Sequence, residues 1–209
     1  MPLLGCLRNL LQGLESSVVP RPTFRSGRHE RTGSKMNSLF FLVLGLVVGA
    51  VHVYLDKQPR TRGRVAEIFL LWLLVITVGL ASVSAFIAHT VFADATAASI
   101  GWPAGNPFQS EVAVANLTVG ILGILCYWMR GNFWIATVIG FSVWWLGDAV
   151  VHIRSIVVDA NYAPNNAGVT FYLDILVPVF LIALLVYYLN AKRHEQGMSP
   201  TERPTGQVV

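Results

Sequence analysis

Five ionisable side chains interrupt or bound long apolar runs: His89, Glu111, Asp148, His152 and Asp174. An ionisable group inside a bilayer is costly, so it normally has a partner or a task. Asp148 and His152 are four residues apart, which on a helix places them on one face in adjacent turns. Imidazole and carboxylate together suit zinc, iron or manganese, and His89, Asp148 and His152 are the metal-ligand candidates. Asp148 would then ligate beside His152 or orient its ring from behind. Two histidines on separate helices can also hold a haem from its two faces. A proton path uses the same residue types without a metal. No HExxH and no repeated ExxH pair occurs, so no spacing signature selects among these chemistries. The cofactor, the reaction and whether the chain is an enzyme stay open at this stage.

The elements that must position these groups are five apolar runs, over residues 39–55, 68–92, 112–129, 133–153 and 171–189. Each holds roughly 17 to 25 residues, enough to cross a hydrocarbon core at about 1.5 Å per residue. None alternates with period two, so helices are preferred over strands. Of the 209 residues 54% are apolar and only 12% charged, about half the charge fraction of a soluble domain. A water-soluble core of buried helices would leave too little polar surface. The fold class expected is all-α: a five-helix transmembrane bundle with two ordered extracytoplasmic loops. Residues 38–190 form the bundle, 1–37 a basic segment and 191–209 a flexible cytoplasmic tail. The two cysteines, Cys6 and Cys126, form no CxxC pair and imply no disulfide framework.

Basic residues in short loops mark the cytoplasmic side. Lys57, Arg60, Arg62 and Arg64 follow the first run, Arg130 follows the third, and Lys192, Arg193 and Arg203 follow the fifth. Five spans put all three groups on one side. The opposite side has residues 93–110, with no base, and 154–170, with one. The expected topology is a multi-pass protein of the cell membrane, N-terminus outside and C-terminus cytoplasmic. On that threading the runs alternate in direction, and all five ionisable residues come to the outer end. Residues 1–35 run against the pattern, with six bases and two acids. Met36 as the true start would remove the conflict. Otherwise residues 3–14 make a short interfacial helix, or the first run acts as a signal peptide, although no clear cleavage site follows it. Residues 19–35, rich in Pro, Arg, Ser and Gly, read as disordered.

Both outer loops are long for simple helix connections. Gly101, Pro103, Gly105 and Pro107 impose turns in the first, Ser110 is the expected N-cap of the third helix, and Glu111 then sits at the positive end of its dipole. The second carries the turn cluster Ala163-Pro-Asn-Asn-Ala-Gly168. The pair would serve either as a lid over the bundle or as ordered turns only. The strings Ile100-Gly-Trp-Pro-Ala-Gly-Asn-Pro-Phe-Gln-Ser-Glu-Val112, Gly131-Asn-Phe-Trp134, Gly147-Asp148 with His152, and Asn165-Asn-Ala-Gly168 before Asp174 resemble a prokaryotic family of small integral membrane proteins known as a domain of unknown function. The resemblance covers about residues 66–189. It implies a membrane bundle and supplies no activity, substrate or cofactor.

A purely structural reading accounts for the same residues. Glu111 and Asp174 complement helix N-termini, and Asp148 with His152 makes one hydrogen-bonded pair between helices. His52 stands apart, near Gly45 and Gly49, whose GxxxG spacing lets a neighbouring helix approach. Trp144 or Trp145 is placed to wall the polar site. There is no Walker loop, no Gly-x-Ser-x-Gly elbow and no basic nucleic-acid surface within the bundle. The expected partner is the lipid bilayer, with a second copy or another membrane subunit left open. The functions in view are a proton or small-solute pathway, a metal- or haem-dependent membrane enzyme, and a structural accessory subunit.

Overall fold

Unbroken apolar sequence with few helix breakers satisfies its backbone internally by coiling, the requirement set by a medium without water. The computed structural model describes residues 37–197, and those residues are helical almost throughout. Helix α1 is Asn37–Leu55, α2 Arg62–Val91, α3 Ala93–Ile100, α4 Phe108–Leu125, α5 Asn132–Asp159, α6 Pro164–Ala167 and α7 Val169–Glu195. Helices α1, α2, α4, α5 and α7 are long and apolar enough to cross a membrane. The architecture is the all-α five-helix bundle that the apolar runs imply. Residues 1–36 and 198–209 lie outside the described residues. So do the expectations placed on them: a start at Met36, an interfacial helix over 3–14 and disorder over 19–35.

Helix α2 is central, packing against α1, α4 and α7, while α5 packs on α7. Leu70, Leu74 and Val78 of α2 meet Trp134, Val138 and Phe141 of α5 and Val177 and Leu181 of α7 in the buried core. Valines three or four residues apart on α1 (Val43, Val47, Val51) stay half exposed. The same holds for Leu176, Val179 and Val186 on α7. Apolar faces of that extent suit acyl chains. Residues Leu73–Leu80 of α2 are π-helical, and this widened stretch is where α2 touches both neighbours. The Thr77 hydroxyl donates to the Phe41 carbonyl of α1 at 3.1 Å, and Gly79 lies against the α4 backbone at Gly123 and Ile124. The GxxxG pair also marks a close approach: a β-carbon on Gly45 would fall 2.7 Å from the Thr77 hydroxyl, and one on Gly49 2.9 Å from the Phe69 ring. His52 accepts a 2.8 Å hydrogen bond from the Trp72 indole, so it pairs with the neighbouring helix.

The basic residues gather at one end of the bundle. Glu67 receives Arg64 at 3.5 Å, Arg130 at 3.2 Å and Lys192 at 3.4 Å. Arg64 also grips Asp56 at 2.7 Å, and that hydrogen bond holds the Asp56 carboxyl below the usual carboxylate range. The Gly63 amide donates to Glu195 at 3.0 Å. The ends of α1, α4 and α7 therefore meet the start of α2, as five alternating spans require.

Several element limits differ from those read in the sequence. Helix α5 runs past Arg154 to Asp159. Helix α4 begins at Phe108, so Ser110 lies in its first turn and is not its cap. Pro107 takes the cap position and the Asn106 side chain accepts the Phe108 amide at 3.0 Å. Residues 93–110 are not all turn: the alanine-rich start of this connection forms α3, for alanine favours helix even without an apolar stripe to reveal it.

Candidate functional site

The end of the bundle opposite Glu67 carries a half-open pocket of about 450 Å³. Asp148 and His152 both line it, as their spacing on α5 dictates. Asp174 reaches it from α7 and His89 from α2. Ala81, Ala85 and Ala88 form the α2 wall, and their small side chains leave the space open. Asn116 of α4 lines the pocket and is buried, its amide turned back onto the Val112 carbonyl at 2.9 Å. Trp145 contributes an indole from α5. Among the lining residues there is no lysine or arginine.

A chain of hydrogen bonds fixes His152. Its Nε2 lies 3.3 Å from Asp174 Oδ2, and its Nδ1 lies 2.8 Å from Asn166 Oδ1. The Asn166 amide nitrogen donates to the Asn161 carbonyl at 2.7 Å. A carbonyl can only accept, so this bond sets which end of the Asn166 amide faces the histidine. The end presented is the oxygen, and His152 Nδ1 must therefore carry a proton. One further proton between Nε2 and Asp174 would complete that contact, as imidazolium–carboxylate or as imidazole–carboxylic acid. Either arrangement leaves the pair with no net charge. Asp174 is 6% exposed and Asn166 1%, so these are interior bonds, which water does not compete for.

Asp148 differs from its neighbours. No hydrogen bond or ion pair to another described residue satisfies it, although it faces the same pocket. His89 also keeps an unused group: its buried Nδ1 has no hydrogen-bond partner among the described residues, and its ring centroid is 6.3 Å from that of Trp102. Glu111 is exposed at the start of α4 and does not line the pocket. The structure thus brings His89, Asp148, His152 and Asp174 to one cavity and leaves Glu111 outside it. Among the described residues no three His, Cys, Asp or Glu side chains gather closely enough to hold a metal ion.

The two long loops close over this end together. The Asn161 amide donates to the Ile100 carbonyl at 2.9 Å and to the Ser155 hydroxyl at 3.2 Å. The Asn165 amide donates to the Ser99 hydroxyl at 2.9 Å. Thr96 ties α3 back to α2 through the Ala88 carbonyl at 2.8 Å. Thr96, Ile100, Trp102, Pro164 and Asn165 all line the pocket, so the loops roof it. Asn165 and Asn166 were visible in the sequence only as turn-forming residues and Asn161 was not singled out, since composition does not reveal which amide points inward.

Residues 35–194 match a family of unknown function (DUF6790). The chain belongs to this family. The matched stretch takes in α1, which the motif strings over residues 66–189 did not reach, and every residue that lines the pocket. No curated protein and no solved structure matches the chain. Membership of DUF6790 assigns no activity, so the site must be read from its own chemistry.

Proposed function

We propose that the protein binds a small polar solute in the roofed pocket and exchanges a proton with it, as a component of a transmembrane solute or proton pathway. The observation that carries this reading is Asp148. A membrane carboxylate that faces a cavity with no protein partner costs free energy that a structural role would not require. Beside it stands the His152–Asp174 pair, which holds one proton between two atoms and can hand it on. The orientation that fits the basic residues places Glu67 and its cations on the cytoplasmic side and the pocket on the outer side.

A second reading has specific support for part of the cluster. The bonds from Asp174 through His152 and Asn166 to Asn161 tie α7, α5 and both loops together, and this alone would justify His152 and Asp174 as structural glue. It does not account for Asp148. Metal chemistry has less support, because among the described residues the donor side chains do not gather in threes.

The test is proton flux in liposomes that trap a pH-sensitive dye. Protein-containing vesicles are expected to collapse an imposed pH gradient faster than empty ones. Asp148→Asn and His152→Ala should bring the rate back to that of empty vesicles, while Glu111→Gln should leave it high. A gradient collapse indifferent to both Asp148→Asn and His152→Ala would overturn the reading.

A further inference from the structure

We propose that the solute taken by this pocket is a small organic cation, an ammonium carried on a compact apolar body. The proposal rests on the reading of the pocket as a solute site and names its substrate class. It follows from an inventory of charge. The lining contains two carboxylates, Asp148 and Asp174, and two imidazoles, His89 and His152. With Nδ1 protonated by the chain to Asn161 and one proton shared between Nε2 and Asp174, the His152–Asp174 pair is neutral as a unit, wherever that shared proton resides. His89 has a buried ring nitrogen with no acceptor facing it, and a second proton there would leave a buried N–H unpaired, which is unfavourable. What remains is Asp148, whose carboxylate form would carry a single negative charge with no lysine or arginine beside it among the described lining residues. A charge within a membrane normally finds a partner. Among the described residues none pairs with it, and the cavity is where one would sit.

The walls fit the same ligand. Trp102 and Trp145 both line the pocket, and indole faces attract cations by their ring quadrupole. Trp102 belongs to the roof and Trp145 to α5, so a cation beside Asp148 meets aromatic surface from two elements. The alanines of α2, with Leu173, give the remaining wall its apolar character, which suits an alkyl body and offers nothing to a second charge. An anion would find no lysine or arginine among the described lining residues. A neutral solute would leave Asp148 unpaired.

The experiment compares three probes with the same four-carbon body: butylammonium chloride, sodium butyrate and butanol. Each is titrated, at matched ionic strength, into the full-length protein in detergent micelles. Tryptophan fluorescence and the thermal unfolding midpoint are read together. Butylammonium is expected to give a saturable change in both, butyrate and butanol none in the same range. Asp148→Asn should weaken butylammonium at least tenfold, and Glu111→Gln, which alters a carboxylate outside the pocket, should not. If Asp148→Asn fails to fold, Trp102→Leu provides the second arm, with weaker butylammonium binding expected. Equal saturable binding of butanol or butyrate would overturn the cation class while leaving the solute pocket standing. Absence of any saturable response to butylammonium would overturn the cation proposal, and the gradient-collapse assay would then decide separately whether the pathway reading survives.

Discussion

His152 shows how closely its neighbours can fix one side chain. Both its ring nitrogens are engaged, one by Asp174 and one by Asn166, so the ring can neither flip nor change which nitrogen keeps its proton without breaking a bond. Asn166 is the member on which the arrangement turns, because its amide reads the Asn161 carbonyl on one side and the imidazole on the other. Asn166→Ala leaves a ring N–H and a backbone carbonyl without their partner at a buried position. An unsatisfied buried group costs about 1–3 kcal/mol, and a loss of that order is expected in denaturant unfolding of the detergent-solubilised protein. A structural loss alone would not move the protonation pattern of the ring. Nitrogen chemical shifts of His152 should therefore also change, from a fixed Nδ1–H toward a mixture of tautomers. Unchanged shifts would mean that Asn166 does not set the tautomer. The sequence disclosed Asp148 and His152 as neighbours on one face because helical spacing is readable. It disclosed nothing of Asn166, whose role depends on how a turn folds back.

The elements explain why the cavity exists at all. Helix α2 approaches α4 so closely at Gly79 and Gly123 that a β-carbon on Gly123 would lie 2.5 Å from the Gly79 amide nitrogen and 2.7 Å from its α-carbon. Backbone cannot yield as a flexible side chain does. Gly123→Ala should therefore push the two helices apart, at the cost of about 1–3 kcal/mol typical of overpacking. Gly140→Ala on α5 meets no neighbouring atom and is the control expected to unfold at the wild-type midpoint. A Gly123→Ala protein as stable as the control would show that the crossing relaxes freely. The long helices were legible in the sequence because each apolar run is long and uninterrupted. Helix α3 was not, because eight alanine-rich residues carry composition but no stripe. The limits of α5 and α7 were misjudged for a related reason. A helix leaves the hydrocarbon before it stops being a helix, and hydropathy records only the first event.

At the scale of the whole molecule, the two ends of the bundle have opposite chemistry. One end surrounds Glu67 with Arg64, Arg130 and Lys192. The other roofs a pocket in which no lysine or arginine appears. Cationic side chains resist translocation, so the basic end is expected on the cytoplasmic side and the pocket on the other. On that expectation the pocket would sample a solute from outside the cell, under the outer pH. The prediction is open to direct labelling. Lys57 and Ala104 are both exposed and lie on opposite ends, Lys57 beyond α1 and Ala104 between α3 and α4. Cys126 is buried, so in a Cys6→Ser background a cysteine placed at either position is the reactive one. Intact cells treated with a membrane-impermeant maleimide should label Ala104→Cys and spare Lys57→Cys, and permeabilised cells should label both. The reverse pattern would put the pocket on the cytoplasmic side, where Asp148 would face cytoplasmic solutes and pH instead. Labelling of both positions in intact cells would contradict a membrane-spanning α2, because that single crossing is what sets Lys57 and Ala104 on opposite faces.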